Sequence, residues 1–197
     1  MIEVLLLLAV AGIIVSPPFM FDFLRSKKKF RGLLVGLDGA GKTTLIYLLK
    51  EGDMFDTIPT TGFNTEEIAF GKNTLVTFCD VGGQDSQRSL WSHHFDKISV
   101  LAFVIDGSKP ERFEEAKQEL LRLDQESQID DDVLCVILST KMDLPDYVPS
   151  EEVSVALGVS DLKRDWSVLQ VSGTDKKHVK ELVRWLSDQL STRKPLL

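Results

Sequence analysis

Cysteine is scarce in this chain, with two among 197 residues, Cys79 and Cys135, each inside an apolar run. Neither belongs to a CxxC pair or a Cys/His cluster, which sets aside the zinc modules and the disulfide frameworks. Both read as buried thiols of a reducing compartment. Basic charge is also short over most of the length. The net charge is −7, yet residues 1–31 hold five basic and two acidic side chains, which leaves 18 basic against 28 acidic in the rest. An acidic body of that kind excludes nucleic acid as a partner. Position 2 is not Gly and the final TRKPLL has no Cys, so neither a myristoyl nor a prenyl group is expected. Repeats and low-complexity tracts are absent. The run Asp130-Asp131-Asp132 lacks the rest of an EF-hand pattern and reads as a solvated loop. His93 and His94 are neighbours whose side chains would diverge on a helix, so they read as structural or partner-facing, not as a metal pair.

What the chain does have begins at its start. Residues 4–15 read VLLLLAVAGIIV without one polar side chain. As a helix the run would reach roughly 18 Å, at about 1.5 Å per residue, against a hydrocarbon core of about 30 Å. It is apolar on every face, unlike a helix that lies on a membrane surface. A cleaved signal peptide would place its basic residues before the apolar run; here Arg25, Lys27, Lys28, Lys29 and Arg31 follow it. A buried core helix is the other alternative. The order of apolar run and basic cluster favours a membrane anchor over residues 1–24, with residues 25–31 as a basic linker at the cytosolic face of an intracellular membrane. A domain over residues 32–191 and a tail over 192–197 complete the organisation.

Beyond residue 30, apolar strand-like runs alternate with helical spacing. Strands are expected at residues 32–37, 65–70, 74–80, 100–106, 133–139 and 167–171, the second and third as a hairpin turning at 71–73. Helices are expected at residues 42–50, 112–125 and 176–190. This alternation predicts an α/β doubly wound sheet. Trp166 and Trp185, at a helix end and in the closing helix, read as core.

Four stations along that framework carry chemistry. Residues 36–43, GLDGAGKT, match G-x-x-x-x-G-K-[ST] in full between a predicted strand and a predicted helix. Gly36, Asp38, Gly39, Ala40 and Gly41 form a loop whose N–H groups can cradle phosphates at a helix N-terminus. Lys42 can reach the β- and γ-phosphates, Thr43 can give its hydroxyl to Mg²⁺, and Thr44 follows in the same turn. The second station is Asp80-Val-Gly-Gly-Gln84, at a strand end. Asp80 can hold the ion through water, Gly83 can offer its N–H to a γ-phosphate, and Gln84 can orient an attacking water. The third is Pro59-Thr60-Thr61-Gly62, where Thr60 or Thr61 can add a hydroxyl to Mg²⁺, and spacing alone does not choose between them. The fourth is Thr140-Lys141-Met142-Asp143. Asp143 can accept from the guanine N1–H and exocyclic amine, a donor pair that adenine lacks. The stem of Lys141 can cover the base, and Ser172 lies in a loop whose N–H groups could meet the guanine oxygen.

GLDGAGKTT, IPTTGFNTEEI, DVGGQDSQRSLW and TKMDLP occur here in the order and spacing of the ADP-ribosylation-factor and Arf-like small GTPases, and the chain resembles that family from about residue 30 to 190. The resemblance implies a P-loop small GTPase fold with a mostly parallel six-stranded sheet. It implies cycling between GDP and GTP with Mg²⁺, slow unaided hydrolysis, and dependence on an exchange factor, an activating protein and effectors in membrane traffic. It also implies Thr60 as the magnesium ligand, Gly83 as the γ-phosphate sensor, Gln84 as the water-positioning residue, and a hairpin over residues 65–78 that shifts register on exchange. Three departures stand out. Thr140 occupies a position that is usually Asn. The effector-facing aromatic trio becomes Phe63, Cys79 and His94, while Trp91 is retained. The usual Gly at position 2 and amphipathic N-terminal helix give way to the apolar run. No residue suggests an arginine finger, and Arg88 reads as a surface arginine. Two rival functions remain at this stage: a membrane receptor subunit that holds GTP structurally, and an ATP-dependent phosphotransferase, which Asp143 argues against.

Overall fold

The computed structural model describes residues 27–52, 57–71 and 73–195. The expected membrane anchor over residues 1–24 lies outside them, and no helix among the described residues is long and apolar enough to cross a membrane.

Six strands form one sheet in the order β2-β3-β1-β4-β5-β6. They are β1 (Lys28–Val35), β2 (Phe63–Phe70), β3 (Thr74–Val81), β4 (Val100–Asp106), β5 (Leu134–Thr140) and β6 (Trp166–Val171). Every neighbouring pair is parallel except β2 with β3, whose antiparallel register runs from Phe63 opposite Val81 to Phe70 opposite Thr74. Among the described residues, four α-helices cover the faces: α1 (Lys42–Glu51), α2 (Phe113–Asp124), α3 (Ser150–Leu157) and α4 (Lys176–Ser191). A 3₁₀ helix over Asp85–His94 follows β3.

The apolar strand runs are continuous because both faces are covered, as parallel sheets require. Along β4, Leu101, Phe103 and Ile105 enter one core with Phe113, Leu120 and Trp91. Val100, Ala102 and Val104 enter the other with Leu45, Ile46, Leu182 and Leu186. On α4, Val179, Leu182, Leu186 and Leu190 recur every three or four positions and are buried, while Asp175 caps the helix by accepting from the Lys177 N–H at 2.8 Å.

Strand β1 begins earlier than expected. Lys28 already pairs with Thr74, and Phe30 is buried in the second core, so part of the expected basic linker over residues 25–31 belongs to the sheet. The strand ends at Val35, before the loop. Helix α3 and the 3₁₀ helix have no counterpart in the expected elements. Trp166 opens a strand instead of ending a helix, and Trp185 is half-buried against the core.

Candidate nucleotide and magnesium site

The parallel strands deliver their C-terminal ends to one rim, where an open α/β sheet binds its ligands. There β1 leads through Gly36 into the loop that opens α1. Gly36 has φ +140°, and a Cβ on it would lie 2.1 Å from the Val104 carbonyl oxygen, so this strand exit admits only glycine. Lys42 is buried, and its Nζ donates to the carbonyls of Gly36 and Leu37, both at 2.9 Å. Burial pulls its pKa down to about 8 despite the favourable field of Asp80 and Asp38. Asp38 is exposed and held below the ordinary carboxylate range by hydrogen bonding to Arg112.

Three oxygens converge beside that loop. Thr43 Oγ1 donates to Asp80 Oδ2 at 2.5 Å and lies 2.7 Å from Thr60 Oγ1, which lies 3.1 Å from the same carboxylate oxygen. Thr61 is exposed, so the geometry selects Thr60 from the two threonines that spacing left open. Asp80 is fully buried, and its Oδ1 has no hydrogen-bond partner among the described residues. Burial pushes its carboxyl above the ordinary carboxylate value, against the pull of Thr43, Lys42 and Thr60. Two hydroxyls and a buried, underpaired carboxylate form a hard, all-oxygen donor set of the kind Mg²⁺ prefers. The residues present therefore fit the ion.

Gly83 closes the loop from above. A Cβ there would meet the Gly36 oxygen at 2.3 Å and Lys42 Nζ at 2.5 Å. Gln84 is exposed and lines the same cavity of about 370 Å³, together with Asp38, Gly39, Lys42 and Thr60. A second cavity of about 230 Å³ adjoins it. Gly41, Thr44 and Lys141 line both, so the two form one cleft large enough for a nucleotide.

Asp143 lines the second cavity and is exposed, its Oδ1 accepting from Ser172 Oγ at 2.8 Å. Ser172 is buried, and the bond joins the loops after β5 and β6 at the base station. Thr140 has a different part from the others. Its hydroxyl lies 2.8 Å from the Ala40 oxygen and 3.0 Å from the Ile105 oxygen, and its one proton serves either carbonyl. It tethers the base loop to the phosphate loop. Lys141 stands at φ +64° and its Nζ bonds Asp106 Oδ2 at 2.6 Å. Burial would raise the Asp106 pKa, but bonds from Lys141 and Ser108 outweigh it and leave it lowered. Thr44 Oγ1 bonds Thr57 Oγ1 at 3.0 Å.

Several functional neighbours escaped the sequence. Arg88 is not a surface arginine: its side chain is 7% exposed and is ion-paired to Glu115 at 2.5 Å and Glu119 at 3.3 Å. Along the 3₁₀ helix it stands three residues before the buried Trp91, and side chains eclipse at that spacing, but the helix itself was not legible in the sequence. Glu115 and Glu119 lie too far along the chain to be paired by pattern, although Asp85, 3.7 Å from Nη1, is three positions away. Phe63, Cys79 and His94 do meet. The Phe63 and His94 ring centroids are 4.9 Å apart, and Cys79 Sγ lies 3.5 Å from His94 Nδ1. Burial raises the thiol pKa and lowers that of the imidazole, so the pair is a neutral contact and not a thiolate–imidazolium couple.

A phosphate loop, a hydroxyl–carboxylate cluster and a base pocket at one rim of a doubly wound sheet define a nucleotide-binding domain of the small GTPase class. The ADP-ribosylation factor family matches residues 19–190, and the chain belongs to that family. Among solved structures, the chain is similar to the Arl6 BBS3 small GTPase of Trypanosoma brucei with a bound nucleotide analogue. The identity is 24%, the TM-score is 0.71, and the match covers 82% of this chain and 98% of that one. It is also similar to a chain of the mammalian SRP receptor structure, at 18% identity and a TM-score of 0.73 over 81% of this chain and 99% of that one. Both likenesses are of fold.

Proposed function

We propose that the chain is a guanine-nucleotide switch that cycles between GDP and GTP, hydrolyses GTP slowly unless an activating protein assists, and works on the cytosolic face of an intracellular membrane in vesicle traffic or organelle organisation. The observation that carries the switch is the closure of Thr60, from the segment before β2, onto Thr43 and Asp80. A threonine from a separate segment joins the cluster only if that segment folds over the phosphate site, as a γ-phosphate sensor must.

Thr43, Thr60 and Asp80 would hold Mg²⁺, which when bound would supply positive charge at the phosphates. Lys42 adds a second positive charge at the loop. Gly83 presents its N–H where a side chain would not fit. Asp143 and Ser172 face the purine edge, and Lys141 lines the passage between base and phosphates. Gln84 stands at the cavity mouth to orient the attacking water, so the protein's contribution is positioning and electrostatics. Residues 1–24 supply the membrane attachment in this reading, and an exchange factor, an activating protein and effectors are the expected partners.

A receptor subunit that holds GTP without turnover is the competing reading, and Gln84 at the cavity speaks against it. Gln84→Leu separates the two. Single-turnover hydrolysis with an activating protein should fall by about 100-fold or more, while GTP affinity stays close to that of the parent protein. Unchanged assisted hydrolysis in the variant would remove Gln84 from the mechanism.

A further inference from the structure

The two peptide planes flanking Gly83 are each held by a side chain of the 3₁₀ helix. Trp91 Nε1 donates to the Gly82 carbonyl at 3.0 Å, and Arg88 Nε donates to the Gly83 carbonyl at 3.1 Å. In a trans peptide the C=O and the following N–H point in opposite directions. Holding the Gly82 oxygen on the indole therefore aims the Gly83 N–H away from the indole, and holding the Gly83 oxygen on Arg88 likewise fixes the Gln84 N–H. Neither plane is set by the glycines themselves, which have the freest backbone of any residue.

Arg88 is in turn not free to move alone. Its Nη2 bonds Glu115 Oε1 at 2.5 Å, and the other oxygen of that carboxylate accepts from Arg112 Nε and Nη2, both at 3.0 Å. Arg112 then reaches the phosphate loop, where Nη1 donates to the Asp38 carbonyl and Nη2 to its carboxylate, each at 2.8 Å. The result is one continuous path from the loop through the start of α2 to the carbonyl of Gly83. Arg88 is almost wholly buried, so breaking its pairing would strand a charge out of water, a state the fold avoids.

We propose that Arg88, Glu115 and Arg112 form a positioning relay that ties the orientation of the Gly83–Gln84 segment to the phosphate loop, and so stabilises the triphosphate-binding arrangement selectively. The proposal rests on the guanine-switch reading. None of the three residues needs to touch the nucleotide. A ligand shifts a two-state segment only by its differential affinity for the states. Losing the relay therefore weakens the triphosphate, which needs Gly83 in place, and spares the diphosphate, which does not.

The test is equilibrium binding of fluorescent GDP and a fluorescent non-hydrolysable GTP analogue to the full-length chain and to Glu115→Gln, Arg112→Ala and the double variant. Each single variant should lose about 3- to 30-fold in affinity for the GTP analogue, with GDP affinity held within about twofold. Because Glu115 and Arg112 lie on one hydrogen-bonded path, with only a 4.0 Å ion pair from Arg88 to Asp38 beside it, the double variant should lose no more than about twofold beyond the worse single variant. Glu115→Gln changes a partly exposed carboxylate to its amide and keeps its shape, so it remains informative if Arg112→Ala folds poorly. Equal losses for both nucleotides would reduce the network to a structural clamp and overturn the proposal, as would additive losses or none. If the parent chain itself showed no guanine preference over ATP in the same assay, the switch reading would fail and the relay with it. Parent binding with unselective variants would sink the relay alone.

Discussion

Two buried aspartates sit at opposite ends of the sheet. Asp80 is the penultimate residue of β3 at the phosphate rim, and Asp124 ends α2 near the start of β6. Asp124 is 2% exposed and both its oxygens are met by donors: the Lys163 N–H at 2.6 Å on one, the Arg164 N–H and Trp166 Nε1 at 3.0 Å on the other. Burial alone would raise its pKa, but those three bonds more than offset it and hold the carboxyl below the ordinary carboxylate range. Among the described residues, Asp80 is 0% exposed, has two threonine hydroxyls on one oxygen and no partner on the other, and its pKa moves up. The same side chain is saturated by protein donors in one place and, in the proposed site, would be completed by a cation in the other. Arg164 strengthens the contrast, since its guanidinium also serves the carbonyls of Asp124, Glu126 and Ile129 at the turn after α2. The Asp124 node is finished structure, whereas the Asp80 node keeps an underpaired carboxylate at the proposed magnesium site.

Substitution with asparagine at each position breaks the comparison in opposite ways. Asp80→Asn should cost about 100-fold in magnesium-dependent affinity for a GTP analogue, the upper range for a group that orients a metal site. Unfolding of the nucleotide-free, magnesium-free protein should be unaffected or slightly harder, because an underpaired buried charge has been removed. Nucleotide titration and thermal melts of the same preparation check both halves. Asp124→Asn should do the reverse. It leaves nucleotide affinity alone and lowers stability by about 1–3 kcal/mol through donors left unmet, seen as a fall in melting temperature of roughly 2–4 °C per kcal/mol in a chain of this size. The smallest effect is in acid. A carboxyl whose folded pKa is depressed contributes its full stability above the unfolded value, and that contribution is lost as pH falls through the folded value. The stability gap between parent and Asp124→Asn should thus be constant near neutrality and shrink below about pH 4. A gap that widens in acid would contradict the pairing.

The elements legible in the sequence were those whose pattern is local. Val100–Asp106 is buried on both faces and reads as a continuous apolar run, and Lys176–Ser191 carries its stripe at helical spacing. Helix α3, Ser150–Leu157, did not announce itself. It is short, contains Ser and β-branched Val, follows Pro149, and buries only Val153 and Leu157; its stability comes from packing more than from propensity. The start of β1 was obscured by Lys28, Lys29 and Arg31, basic residues that reach past the sheet while Phe30 enters the core. At the site, the motif residues were readable because each station is contiguous. The choice between Thr60 and Thr61 required the approach of a separate segment to Asp80. The Arg88–Glu115–Arg112–Asp38 path joins residues up to 74 positions apart, a separation no periodicity encodes.

The central claim is that Thr60, Thr43 and Asp80 form one magnesium-centred cluster that closes on a guanine triphosphate. Release rates of a GTP analogue and of GDP, each measured with magnesium and after its chelation, test it in the parent chain, Thr60→Ala and Thr61→Ala. Thr60→Ala should abolish most of the magnesium protection of the GTP analogue while leaving that of GDP in place, and Thr61→Ala should resemble the parent. Equal magnesium protection of the GTP analogue in the parent and in Thr60→Ala would contradict it.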